Sequence, residues 1–203
     1  MKIKVIKVGG KVIDDPVKLN EFLDAFAAVD GLKVLVHGGG KIAGEVSNRL
    51  GLTVQQINGR RITDADTLET VVMVYAGLIN KQIVASMQAR GQNALGCCGA
   101  DLNLIRSVKR VGTEIDFGYV GDVEVNSVAS HELLTLLNNG IVPVFSAITH
   151  DGKGQLLNTN ADAVASVLAS ALNRLMPCTL SLCFEGSAVM KGEELIRELN
   201  EEQ

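Results

Sequence analysis

Tryptophan is absent from this 203-residue chain, and aromatic residues make up only 3% of it. A surface that stacks nucleic-acid bases needs aromatic faces, so that role is poorly supplied. Positive charge is not in surplus. Lys and Arg number 19 against 23 Asp and Glu, for a net charge of −4. Without a basic stripe no nucleic-acid partner is expected. No run of about eighteen apolar residues occurs, so no membrane span is expected. The N-terminus enters a strand with lysines inside it rather than a secretory leader, which predicts a cytoplasmic location. Cysteine is limited to Cys97, Cys98, Cys178 and Cys183. The adjacent pair lacks the C-x-x-C spacing of a zinc site. No resident metal site is therefore expected, and the thiols are expected to be reduced, in or near strands. Histidine is confined to His37, His131 and His150. The last two fall on a helix pattern and a turn, which predicts surface positions. His37 sits beside glycines, where it would orient a loop rather than act as a base.

Glycine and aliphatic residues are plentiful. There are 21 glycines, and hydrophobic residues reach 47%, enough for one α/β domain with a substantial core. Two glycine-rich turns each follow an apolar run: Ile3 to Val8 leads into Gly9-Gly10-Lys11, and Leu32 to Val36 leads into His37-Gly38-Gly39-Gly40-Lys41. Such turns at strand ends bring bare N–H groups to a helix start, where an anion is favoured. Neither is a common nucleotide fingerprint. G-x-x-x-x-G-K-[ST] is missing, and Gly38, Gly40 and Gly44 miss G-x-G-x-x-G by one residue.

The mostly β-branched first run reads as a strand buried on both faces. Asp15 and Pro16 read as an N-cap and first helical residue. Leu19, Phe22, Leu23 and Phe26 continue that helix as one apolar face. A second strand and a helix from about 42 to 50 follow, closed by Gly51. This βαβα opening implies right-handed crossovers and a parallel sheet. Thr63 and Asp66 read as a capping pair for a long helix over about 64–90. The stretch from Asn103 to Val125 reads as an inserted hairpin turning at Gly112-Thr113-Glu114. Further expectations are a helix from Ser130, a strand from Ile141 to Ser146 and a small hairpin around Asp151-Gly152-Lys153-Gly154. A helix capped by Asn160, a last strand from Thr179 to Phe184 and an acidic terminal helix from Glu193 to Glu202 complete the series.

Lys7, beside Gly9 and Gly10, can place an ammonium over a transferring phosphoryl group, or it is simply a solvated lysine. In Asn58-Gly59-Arg60-Arg61-Ile62-Thr63, one of the paired arginines can fork a carboxylate. In Asn158-Thr159-Asn160-Ala161-Asp162, Asn158 can meet an acyl or amino group and Asp162 can orient lysines. Plain N-capping by Asn160 is the competing reading.

Together the four motifs, Lys-x-Gly-Gly, His-Gly-Gly-Gly, Asn-Gly-x-Arg-x-Thr and Asn-x-Asn-Ala-Asp, resemble the acetylglutamate kinases. These have the amino acid kinase fold, and the motifs occur in family order over about residues 1 to 190. The resemblance implies an α/β three-layer sandwich with a mainly parallel central sheet and inserted β-hairpins. It implies that Lys7 stabilises the transferring phosphoryl group and that Gly9 and Gly10 face the phosphates of ATP. Gly39 and Gly40 would hold the substrate γ-carboxylate and the transition state, and Arg61 the α-carboxylate. Asn158 would bind the acylated amino acid, and Asp162 would organise the lysine. The implied reaction converts ATP and an N-acyl-L-glutamate, acetylated or succinylated, into the γ-acyl phosphate in arginine biosynthesis, with Mg²⁺ accompanying ATP. The inserted hairpin would lie over the substrate, and the helix at about 64–90 would form a homodimer interface.

The resemblance also sets expectations for the ends of the chain. The start directly at the first strand omits the N-terminal helix of the arginine-inhibited hexameric members. After the strand at Thr179 to Phe184 the family continues with a Gly-Gly-Met-x-x-Lys segment, which this chain does not carry. The expected organisation is a single domain, 1–203. Residues 1–177 would form the acylglutamate-binding lobe with the dimer helix, and 178–203 a remnant of the nucleotide-binding lobe. Losing one positioned cation would cost roughly 2–4 kcal/mol of barrier. The alternative is a non-catalytic N-acylglutamate-binding module. A carbamate or aspartate kinase fits Arg61 and Asn158 less well.

Overall fold

The computed structural model of the chain describes residues 2–39, 41–57, 60–111, 115–184, 189–191 and 194–196. Five parallel strands form the central sheet: β1 (Ile3–Val8), β2 (Leu32–His37), β3 (Ala94–Cys97), β4 (Val142–Ser146) and β5 (Cys178–Cys183). Their spatial order is β5-β1-β2-β4-β3. Each position of β1 lies between β2 and β5, with Ile3 opposite both Leu32 and Cys178.

Strand alternation sends side chains to two cores. Ile3, Val5, Val34, Val36, Cys97 and Phe145 belong to one face, which helices α4 (Ser130–Asn138) and α5 (Ala161–Asn173) cover with Leu133, Val164 and Leu168. Ile6, Val8, Leu35 and Val144 belong to the other. Helices α1 (Pro16–Ala27) and α2 (Ile42–Arg49) cover that face, together with the long helical run Ala65–Ala89 (α3). The three layers are the expected sandwich. The same alternation decides the site. Lys7 has the parity of Val5 and shares its face with α5, whereas His37 has the parity of Leu35 and shares its face with α3.

The helix ends follow the sequence signals closely. Asp15 accepts from the amides of Val17 and Lys18 at 3.0 and 3.2 Å, and Asn160 accepts from Asp162 and Ala163 at 2.8 and 3.0 Å. Gly51, with φ +76°, follows the end of α2 in the left-handed conformation that favours glycine. Beyond α1, buried Lys33 donates to the carbonyls of Phe26, Ala27 and Val29 at 3.0, 2.8 and 2.8 Å. A cation there meets the negative end of the helix dipole, while burial lowers its pKa.

Four expectations are corrected. The cap of α3 is Asp64, whose carboxylate accepts from the Thr67 amide at 2.8 Å. Thr63 is unavailable as a cap because it is buried and bonded elsewhere. The α3 run is α-helical over Ala65–Val72 and Asn80–Ala89 but π-helical over Met73–Ile79. By length and composition α3 matches a membrane-crossing helix; its Leu68, Val71, Val74, Ile83 and Met87 are buried in the fold.

The inserted hairpin reduces to a two-residue ladder, Val108–Lys109 against Gly121–Asp122. The segment instead pairs outward through single bridges, Thr63 with Gly118, Arg106 with His150 and Val120 with Asn158. Its turn at Gly112 to Glu114 lies outside the described residues. Finally, Glu194–Ile196 is a strand antiparallel to Val189–Lys191, not part of a helix. That register sets Val189 opposite Ile196 and Met190 opposite Leu195, whereas a ten-residue helix on its own is only marginally stable. The hairpin around Asp151 to Gly154 forms as expected, with Ile148–His150 against Leu156–Asn158.

Candidate functional site

The C-terminal ends of β2 and β4 open, through Gly38 and Ala147, onto a cleft of about 500 Å³. Ligands of open α/β sheets bind at this end of the strands. Gly38, Arg61, Tyr75, Arg110, Asn158 and Ala161 are among the residues that line it.

Lys7, the penultimate residue of β1, reaches Asp162 in the first turn of α5, Nζ to Oδ1 2.8 Å. The lysine side chain is 12% exposed and the carboxylate 54%. The spacing of both motifs predicted a lysine and an orienting carboxylate, and the fold brings the two together. The adjoining turn is tight. Gly9 gives its amide to the Cys183 carbonyl at 2.8 Å, and a Cβ there would lie 3.2 Å from that same oxygen. Gly10 opens the helical turn Gly10–Ile13, at a position whose amide finds no intrahelical acceptor.

Asp14 ties this turn to the second one, because its carboxylate accepts from the Lys41 amide at 2.9 Å. Gly38 and Gly39 follow β2, and a Cβ built on Gly39 would overlap the ring of Tyr75. Gly40 lies outside the described residues. Beneath the turn, fully buried His37 places Nδ1 2.8 Å from the Gly38 carbonyl. A carbonyl only accepts, so Nδ1 carries the proton. Nε2 then accepts from the Asn80 amide at 3.0 Å. Burial, aided by Lys81 and opposed by the Gly38 hydrogen bond, pulls the His37 pKa down to about 4. His37 is thus neutral and structural, as its place in the sequence predicts. The expected surface role of His150 is modified. It is half-buried, its Nδ1 accepts from the Gly152 amide, and its Nε2 is buried without a partner.

On the far wall, Arg61 sits in the ladder Gln56–Ile57 with Arg60–Arg61. Its Nη1 is buried with no acceptor among the described residues. A buried guanidinium nitrogen without a partner is costly, so the position suits an incoming carboxylate. The Tyr75 phenol faces the same guanidinium, and its pKa is raised by burial against the pull of Arg61. Asn158 donates to Thr63 Oγ1 at 3.1 Å and takes its backbone partner from Tyr119. The inserted segment thus contributes to the cleft, with Arg110, paired to Asp122, and Val120 in its lining.

Motif reading missed Tyr75, Asn80 and Arg110. In the sequence Tyr75 falls with Leu68, Val71 and Leu78 on the apolar stripe of a helix. The available signal was the Asn80-Lys81 pair, polar residues that interrupt that stripe.

The amino acid kinase family model matches residues 2–176. The chain is similar to acetylglutamate kinase of Bacteroides fragilis, 53% identical over 192 residues, which is 95% of this chain and 73% of that protein. Acetylglutamate kinase of Bacteroides thetaiotaomicron is likewise 53% identical over 192 residues, covering 95% of this chain and 74% of that one. Among solved structures, N-acetylglutamate synthase from Neisseria gonorrhoeae, complexed with coenzyme A and N-acetyl-glutamate, superposes with a TM-score of 0.77. It is 17% identical, with 97% of this chain and 44% of that chain covered. That likeness is one of fold.

Proposed function

Because the chain belongs to the amino acid kinase family, we propose that it phosphorylates the γ-carboxylate of an N-acyl-L-glutamate, N-acetylglutamate above all, with ATP as phosphoryl donor. This is the acetylglutamate kinase reaction of arginine biosynthesis, the activity its relatives are named for. The observation that carries the reading in this fold is Arg61, which lines the cleft with one buried nitrogen lacking an acceptor among the described residues.

In this reading Arg61 takes the α-carboxylate and Asn158 the acyl-amide end, while Gly39 and Gly40 receive the γ-carboxylate. A carboxylate is ionised at neutral pH, so its oxygen attacks the γ-phosphorus without a general base. The bond to the leaving β-phosphate oxygen breaks as the acyl phosphate forms. The residues' task is to neutralise charge on the transferring group. Lys7 does this from the end of β1, and the Asp162 contact at 2.8 Å supports a fixed ammonium there. Gly9 and Gly10 would face the phosphates of ATP. Mg²⁺ travels with the nucleotide and shields its charge. The location would be cytoplasmic. A homodimer would form through α3, whose Met73 and Leu78 are 55% and 46% exposed.

Trapping the acyl phosphate with hydroxylamine tests the reading, with N-acetylglutamate and N-succinylglutamate supplied separately alongside ATP. Hydroxamate from either supports it; none from both argues strongly against it. The alternative of a non-catalytic acylglutamate-binding module is not favoured by relatives of this similarity.

A further inference from the structure

Besides the Asp14 carboxylate at Lys41, two contacts hold the second glycine-rich turn from one stretch of α3. Tyr75 bears on Gly39 so closely that no Cβ fits there. Asn80 binds His37 from beneath at 3.0 Å and the Val144 carbonyl at 2.8 Å. Lys81 in turn donates to the Asn80 carbonyl oxygen at 3.0 Å, so each polar atom of the Asn80 amide is used. Residues five apart lie about 140° from each other around an α-helix and do not serve one target. In the π-helical turn they do, because its hydrogen bonds run from i to i+5. Here the Asn80 backbone N–H donates to the Tyr75 carbonyl itself.

We propose that the π-helical turn Met73–Ile79 is the device that positions the glycine-rich turn at His37–Gly39, with Tyr75 pressing on it and bracing Arg61 while Asn80 locks His37 below. Tyr75 and Asn80 are positioning residues: they set the turn and the guanidinium that meet the two carboxylates. The functional consequence rests on the acylglutamate kinase reading, but the geometric claim does not.

Imidazole ¹⁵N NMR on the full chain reads the lock directly. The unaltered chain should show His37 neutral, protonated at Nδ1 only. Lys81 is the charged side chain bearing on it. In Asn80→Asp the donor to Nε2 becomes an acceptor, and His37 should be doubly protonated at pH 7. Deleting Gly77, which has open space around it, should return the run to α geometry and free the ring from one tautomer. If that variant does not fold, Asn80→Asp still decides. An unchanged His37 spectrum in a folded Asn80→Asp variant overturns the lock.

The hydroxamate assay reads the consequence. Tyr75→Phe keeps the ring over Gly39 and removes the oxygen facing Arg61. KM for the acylglutamate should rise about tenfold, with kcat within about twofold. Asn80→Asp should instead lower kcat about tenfold with KM for ATP unchanged. An unchanged KM in Tyr75→Phe overturns the bracing of Arg61. An inactive parent chain would count against the kinase reading alone, since the spectra judge the geometry without it.

Discussion

Two lysines near opposite ends of the sheet show how differently one ammonium can be used. Lys33 is buried under three carbonyls and serves the end of α1. Among the described residues Lys7 pairs with one carboxylate, that of the exposed Asp162. Lys7 is therefore the one able to meet a second anion. Replacing it with Ala should lower kcat by about 10²–10³-fold and move KM for the acylglutamate little, read by hydroxamate formation. His37 gives a pH prediction. Its folded pKa of about 4 lies below the ordinary 6.5. Between those values the unfolded chain binds a proton that the folded chain refuses, so stability falls as pH drops through the window. The loss amounts to about 3 kcal/mol by pH 4 and is absent above pH 6.5. Urea unfolding at stepped pH should show this slope, and His37→Gln should flatten it.

At the scale of the element, helix starts are where the sequence speaks most clearly. Asp64→Ala removes the cap of α3 and should cost about 1 kcal/mol, measured by chemical denaturation. Asp15 was legible as a cap because Pro16 follows it at the first helical position, and Asn160 because an apolar stripe begins just after it. Asp64 was not, because Thr63 and Asp66 flank it and offer an equally good pattern. Only tertiary contact removes Thr63 from the choice, since its hydroxyl meets Asn158. The π-helical turn was hidden in the sequence because Val71, Tyr75, Leu78 and Ile79 keep the apolar spacing of an α-helix; only the structure shows Val74 and Ile79, five apart, both buried. The extended backbone at Glu194–Ile196 was hidden for a similar reason: Leu195, Ile196 and Leu199 suit a helical stripe as well as a strand.

At the scale of the whole molecule, the layers and the motifs were readable while the cleft itself was not. Lys7, Arg61, Asn158 and Asp162 could be named from their motifs. That Tyr75 and Arg110 join the lining depends on how α3 and the inserted segment settle against the sheet. No spacing along the chain encodes that approach. The proposed dimer gives a prediction at this scale. Sedimentation of the purified chain should give twice the monomer mass, and Met73→Glu with Leu78→Glu should return it to monomer while leaving the far-ultraviolet circular dichroism intact.

The position of β1 bears on how the chain is made. Its first strand is central, flanked on one side by β2 and on the other by β5. During synthesis the β2 side is filled early, but the other edge waits until Cys178–Cys183 leaves the ribosome. Pairings between such distant segments form slowly. Until then the nascent chain carries an open apolar edge at Ile3–Val8, the kind of edge that recruits other chains. Chaperone demand should therefore fall once Cys183, the last residue of β5, can close the sheet.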